Sequence, residues 1–97
     1  MMNKIEKSTR IFKALGDETR IRIIESIFEE PKNVTDIAQS LQMTHSAISH
    51  QLKILKDCDI VRSNRHGKNI FYYISDEHIK TVVESIFTHT MNCEVTS

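Results

Sequence analysis

The segment that most limits how this chain can fold is TDIAQSLQMTHSAISHQLKIL, residues 35–55. Apolar residues recur at helical intervals at both of its ends, and residues 41–44 between them break the pattern. Thr44 is a favourable N-cap for the second helix. The apolar stripe of that helix would consist of Ala47, Ile48, Leu52 and Leu55. A short helix, a turn of roughly three to four residues and a longer helix is the spacing of a helix-turn-helix.

The second helix of such a pair enters the DNA major groove, with the residues of its first turns at the base edges. In this chain the outward positions of those turns carry small hydroxyls and imidazoles, which can hydrogen-bond base edges or phosphates at close range. They are His45, Ser46, Ser49 and His50, with Gln51 and Lys53 following. A helical hairpin with a polar outer face would show the same pattern, so this motif alone leaves that alternative open.

A β-hairpin is predicted directly after the helix-turn-helix. Residues 60–65 and 69–74 are rich in β-branched and aromatic side chains and flank a turn centred on Gly67. The basic residues of this hairpin are Arg62, Arg65, His66 and Lys68. Such a hairpin suits a wing that reaches the phosphates or the minor groove. Because the combination is more specific than either part, double-stranded operator DNA is the predicted partner.

Helices are predicted for most of the remaining chain. Residues 5–15 are amphipathic up to Gly16, and Asp17 would cap a second helix that ends before Pro31. The predicted order is helix–helix–helix–helix–strand–strand–helix, mainly α with a small β-hairpin, which is a winged helix-turn-helix. A chain of 97 residues is one domain. Its helix-turn-helix would span about 35–58, its wing about 60–74 and its C-terminal helix about 76–92.

Composition excludes several classes of protein. The net charge is zero, yet residues 44–69 hold five lysines and arginines against two aspartates, and the chain from residue 75 onward is acidic. No apolar run is long enough to span a membrane, and the charged N-terminus lacks the apolar core of a signal peptide. A cytoplasmic protein with reduced Cys58 and Cys93 is therefore predicted. An enzyme is not predicted, because the sequence contains no phosphate-binding glycine loop, no HExxH and no nucleophile elbow.

Two histidines, His78 and His89, lie eleven residues apart in the last predicted helix. That spacing places them within about 20° on the same face, but roughly 16 Å apart along the axis. Because zinc–nitrogen bonds are only about 2 Å long, one chain cannot bring both rings to one ion. Either the match is an accident of a polar helix edge, or a second copy brings its own histidine alongside. The apolar stripes of the first and last helices also predict pairing about a two-fold axis.

Three segments of the chain resemble the ArsR/SmtB family of winged-helix metalloregulatory repressors. They are IFKALGDETRIRIIESI, VTDIAQSLQMTHSAISHQLKILKDCDIV and RHGKNIFYYI, and the resemblance extends from Ile11 to Cys93. It implies a homodimer that binds operator DNA and dissociates when metal binds. It also implies that Ser46, Ser49 and His50 face the DNA, with His45 beside them.

One branch of this family, similar to the zinc sensors SmtB and CzrA, binds metal between the paired C-terminal helices. Its pattern is Asp-x-His, ten residues, His, two residues, then His or Glu, and this chain matches it at Asp76, His78 and His89. The resemblance therefore implies zinc, or cobalt or nickel, as a regulatory ligand shared between two subunits. The fourth position is Asn92, a poorer ligand, so Cys93 or a water is the alternative there.

Two other readings stay open from the sequence. A regulator of the same fold could sense thiol oxidation through Cys58 or Cys93, or could have lost its metal site. The cysteines that other branches of the family use near the third helix are absent, because this chain has Val34-Thr35-Asp36 there.

Overall fold

The computed structural model describes residues 1–92, which form five α-helices and a three-stranded sheet. In chain order the elements are α1 (Lys4–Leu15), α2 (Glu18–Ser26), β1 (Lys32–Asn33), α3 (Val34–Leu41), α4 (His45–Asp57), β2 (Val61–His66), β3 (Asn69–Ile74) and α5 (Glu77–Asn92). The predicted winged helix-turn-helix order is confirmed. The short strand β1 is an addition that the sequence did not indicate.

Side-chain caps determine where the helices begin. Asp17, Thr44 and Asp76 each accept a hydrogen bond from the backbone N–H three residues further on, at 3.0, 3.1 and 2.9 Å respectively. These caps satisfy N–H groups that have no partner within the helix, as predicted from the sequence for Asp17 and Thr44. Helix α3 begins at Val34, one residue earlier than predicted, because Asn33 caps it with a 2.8 Å bond.

The turn of the helix-turn-helix depends on a left-handed residue. Gln42, at the end of α3, has φ 56 and ψ 46. The N–H of Met43 then donates to the carbonyl of Ala38 at 2.9 Å, which closes the end of α3. This sharp reversal brings the chain to the start of α4 within three residues.

Replacing Gln42 with glycine should stabilise the fold. A side chain with a Cβ is strained in the left-handed region, so we expect Gln42→Gly to raise the free energy of unfolding by about 0.5–1 kcal/mol. Urea denaturation would measure the change. The matched control is Gln39→Gly in the interior of α3, which should lower the free energy of unfolding by about 1 kcal/mol. Equal losses in both variants would contradict the assignment of strain to Gln42.

The sheet forms the wing and joins it to the helices. β2 and β3 are antiparallel, with Val61 opposite Ile74 at the base, and the two-residue turn at the tip begins with Gly67 at φ 62. β1 pairs with the other edge of β3, where Lys32 lies opposite Tyr72, so the strand order is β1-β3-β2. The segment between α2 and α3 is thereby attached to the wing.

The core lies among α2, α3, α4 and the base of the hairpin. Its fully buried side chains are Ile23, Ile24, Ile27, Ile37, Ile48, Leu52, Leu55, Ile60 and Val61. Val83 of α5 is also buried. The predicted inward face of α4 is thus confirmed at Ile48, Leu52 and Leu55, and this packing fixes which side of α4 faces outward.

Helices α1 and α5 leave large apolar side chains uncovered. Ile5 and Phe12 of α1 are 68% and 65% exposed, and Val82 and Ile86 of α5 are 45% and 57% exposed. Each pair occupies one face of its helix. Exposed apolar faces of this kind mark interaction surfaces. Over residues 1–92, no helix is long and apolar enough to cross a membrane.

Candidate nucleic-acid interface and metal-ligating residues

The outer face of α4 is polar and open. The predicted DNA-facing residues His45, Ser46, Ser49 and His50 are all exposed, and helical geometry places them within an arc of about 140°. Lys53 lies on the same arc one turn further on. Because the opposite side of α4 is packed in the core, this arc is the surface that α4 can present to a groove.

Gln51 does not belong to that open face, contrary to the prediction that grouped it with the outward positions. It is half-buried, and its Oε1 accepts a hydrogen bond from Nη1 of Arg20 at 3.0 Å. Arg20 was not predicted to be functional. Nothing in the local pattern indicates a contact between two residues that are 31 positions apart.

Two polar contacts attach the hairpin to the end of α4. Nζ of Lys56 donates to Oγ of Ser63 at 2.9 Å. Nε and Nη2 of Arg62 donate to the two carboxylate oxygens of Asp59, each at 3.0 Å. Asp59 itself has φ 55, in the left-handed region where α4 ends. Arg62 is therefore held by a bidentate carboxylate, which leaves the tip residues as the freer cations of the wing.

The hydrogen bonds and charge of Arg62 hold the pKa of the Asp59 carboxyl below its ordinary value. A lowered pKa in the folded state stabilises the fold above the unfolded carboxyl pKa, and this contribution is lost as the pH falls through the lowered value. The Asp59 side chain is 65% exposed, so solvent screening keeps the contribution small. The pair therefore orients the hairpin more than it stabilises the fold.

Arg65 and Lys68 extend from the tip of the wing. Both are exposed, and among residues 1–92 neither has a carboxylate within 4.0 Å. Side chains alternate along a strand, so Arg65 lies on the same face of the hairpin as Ser63, which contacts α4. The wing therefore presents Arg65 on the face that meets the end of α4.

The predicted metal ligands lie at the two ends of α5. Oδ1 of Asp76 caps the helix and is 3.9 Å from Nδ1 of His78, whose side chain is 97% exposed. His89 and Asn92 are exposed in the last turns, and Cys93 lies outside the described residues. Within the part of the chain that is described, no three His, Cys, Asp or Glu side chains are close enough to hold one ion.

Between these ends, α5 carries two exposed apolar residues on the same face as the two histidines. Val82 and Ile86 are four and eight residues after His78, and His89 is eleven after it, so all four fall within about 80° of each other. The histidines thus border an apolar strip.

Cys58 is half-buried at the end of α4 and packs against the core. This is the placement of a small hydrophobic residue.

A buried helix pair with an open polar second helix, followed by a basic hairpin, defines the winged helix-turn-helix class of DNA-binding protein. Residues 17–63, from the cap of α2 into β2, match the family model described as bacterial regulatory protein, arsR family. The chain is 38% identical to an HTH-type transcriptional regulator of Methanocaldococcus jannaschii, over 88% of this chain and 97% of that protein. It therefore belongs to the arsR family and is a transcriptional regulator.

Two other relatives are named as homologues of the regulators CadC and SmtB. The chain is 36% identical to a cadmium resistance transcriptional regulatory protein CadC homologue of Staphylococcus aureus, over 82% of this chain and 67% of that one. It is 28% identical to a transcriptional repressor SmtB homologue of Synechocystis, over 91% and 67% of the two chains. All three relatives are named as transcriptional regulators or repressors, which confirms the prediction that the chain is not an enzyme.

Solved structures confirm the fold. The homodimeric winged helix-turn-helix DNA-binding domain of a Mycobacterium bovis protein superimposes with a TM-score of 0.85 at 23% identity, covering 89% of this chain and 80% of that one. At this level of identity the likeness is one of fold.

Proposed function

We propose that this protein is a homodimeric repressor that binds operator DNA and releases it when zinc, or cobalt or nickel, binds between paired α5 helices. Asp76 and His78 of one subunit and His89 of the other would be the ligands. His45, Ser46, Ser49 and His50 would read the DNA, and Arg65 and Lys68 would contact phosphates. The names of the CadC and SmtB homologues support a regulator of this kind.

The observation that carries the DNA-binding part is the contrast between the two sides of α4. Its inner side is buried in the core, while its outer side offers hydroxyls and imidazoles with no competing apolar residue. Lys53 and Lys56 continue this side toward the wing. Hydroxyls and imidazoles can specify bases, whereas the lysines and the wing would supply charge that is independent of sequence.

Base-reading and phosphate-binding residues should respond differently to mutation. We expect Ser49→Ala and His50→Ala each to weaken binding to the preferred duplex by about 1–3 kcal/mol, with little change at unrelated sequences. Arg65→Ala and Lys68→Ala should weaken binding to all duplexes and flatten the salt dependence by about one unit of slope per lost phosphate contact. Fluorescence anisotropy across a salt series would measure both effects. The test duplex would first be selected from a random pool with the wild-type protein. Wild-type binding by all four variants would contradict the proposed surface.

The arrangement of α5 supports the metal-binding part. Two α5 helices that pack antiparallel through Val82 and Ile86 would place the partner's His89 beside Asp76 and His78, and symmetry would create two such sites. One carboxylate and two imidazoles suit zinc or cobalt, and suit calcium or magnesium poorly. Asn92, Cys93 or a water would supply the fourth ligand.

Asp76 would have two roles, because its Oδ1 also caps α5. We expect Asp76→Asn to keep the cap, since asparagine caps helices as well as aspartate does, but to weaken zinc binding by removing the anionic ligand. Asp76→Ala should lose both the cap and the ligand, and lower the free energy of unfolding by about 1 kcal/mol. Calorimetric titration with zinc, together with thermal unfolding, separates the two roles. If Asp76→Asn bound zinc like the wild type at two ions per dimer, Asp76 would not be a ligand.

A further inference from the structure

Arg20 joins three parts of the fold at one point. Its Nε donates to the carbonyl of Ala14 at 2.6 Å and its Nη2 to that of Lys13 at 3.5 Å, both in the last turn of α1. Its Nη1 donates to Oε1 of Gln51 in α4 at 3.0 Å, and its backbone N–H donates to Asp17 at 3.0 Å. One guanidinium group therefore links the end of α1, the start of α2 and the middle of α4.

These contacts would be costly to lose. Carbonyls in the last turn of a helix have no partner within that helix, and Ala14 is only 4% exposed. Arg20 supplies the donor that this buried carbonyl needs, and its planar group fixes the direction of the third bond toward Gln51. Gln51 directly follows His50 at the edge of the open face of α4, so the bond restrains how α4 can rotate about its own axis.

We infer that Arg20 and Gln51 are positioning residues, which set the rotation of α4 relative to α1 and hence the angle at which Ser49 and His50 meet a groove. The inference rests on the proposed DNA binding. It also gives a physical connection between α1, which carries the exposed residues Ile5 and Phe12, and the helix that would read DNA. Neither residue of the pair would itself touch a base.

The test is a comparison of Gln51→Ala, Gln51→Glu, Arg20→Ala and the double alanine variant. Affinity for the selected duplex and for an unrelated duplex of equal length would be measured by anisotropy, at a temperature where circular dichroism shows each variant folded. We expect Gln51→Ala to lose roughly tenfold in affinity for the selected duplex and much less for the unrelated one. Gln51→Glu keeps an oxygen acceptor for Arg20, and its negative charge should weaken binding to both duplexes alike. The ratio of its two affinities should therefore stay within roughly threefold of the wild-type ratio.

The double variant decides whether the two residues act together. It should bind no more weakly than Arg20→Ala alone, because one link is lost in either case. Additive losses, or a Gln51→Glu variant that loses as much selectivity between the two duplexes as Gln51→Ala, would mean that the Gln51 amide contacts DNA directly and would overturn the inference. Wild-type affinity in Gln51→Ala would overturn it as well. If Arg20→Ala does not fold, the comparison of Gln51→Ala with Gln51→Glu still tests whether Gln51 acts through Arg20. A wild-type protein that selects no duplex would instead refute the proposed DNA binding, before any variant is compared.

Discussion

His89→Ala should bind operator DNA like the wild type and no longer release it with zinc. His89 is exposed in the last turns of α5 and is not part of the proposed DNA-binding surface, so its loss should not alter the fold or that surface. In the wild type we expect zinc to weaken operator binding by a factor of roughly 5–150, the usual range of coupling between two sites. In His89→Ala this factor should fall to about one, because a direct ligand is missing. Anisotropy with and without zinc measures the factor.

A mixing experiment tests whether the ligands come from two subunits. His78→Ala and His89→Ala homodimers should each lack both proposed sites. A mixed dimer would regain one of its two sites, formed by His78 of one subunit and His89 of the other. Zinc bound per dimer should therefore rise on mixing the two variants. If mixing restores nothing, or if His89→Ala still releases DNA with zinc, the sensing site lies elsewhere. Asn92→Ala and Cys93→Ser, measured in parallel, would identify the fourth ligand.

Ile86→Asp should convert the protein to a monomer at micromolar concentration. Ile86 is 57% exposed and is one of the two residues of the apolar strip on α5. In a paired arrangement a carboxylate there would be buried without a partner, at a cost of several kcal/mol. Because each monomer would hold only part of the metal site, zinc affinity should fall together with dimerisation. Sedimentation equilibrium and zinc titration of the same sample would measure both.

The matched control is Thr81→Asp, on the same helix about 140° away from Ile86 and also exposed. It adds the same charge outside the apolar strip, so it should remain a dimer and bind zinc normally. A wild-type protein that sediments as a monomer with and without zinc would refute both the dimer and the shared site. A dimeric Ile86→Asp would show that α5 does not form the interface.

The sequence by itself determined most of the local structure. The caps at Asp17, Thr44 and Asp76, the end of α1 at Gly16 and the turn at Gly67 depend on residues within three or four positions of one another. Interactions between residues so close in the chain can be predicted from the spacing of residue types in the sequence. The inner and outer sides of α4 were predictable for the same reason, since helical periodicity converts residue numbers directly into faces. The common face of His78 and His89 followed from the same periodicity.

Only the tertiary structure decided which polar side chains are bonded within the protein and which remain available to bind a partner. From the sequence Gln51 was predicted to face outward, but Arg20, which is 31 positions away, donates a hydrogen bond to its Oε1. Strand β1 was not predictable, because two residues show no alternation and their partner in β3 lies about forty positions away. Contacts between distant segments depend on how the helices pack around the buried core. Local sequence patterns do not determine that packing. The position of Arg20 beside α4, the proposed DNA-binding helix, therefore results from tertiary packing and not from the local spacing of residues.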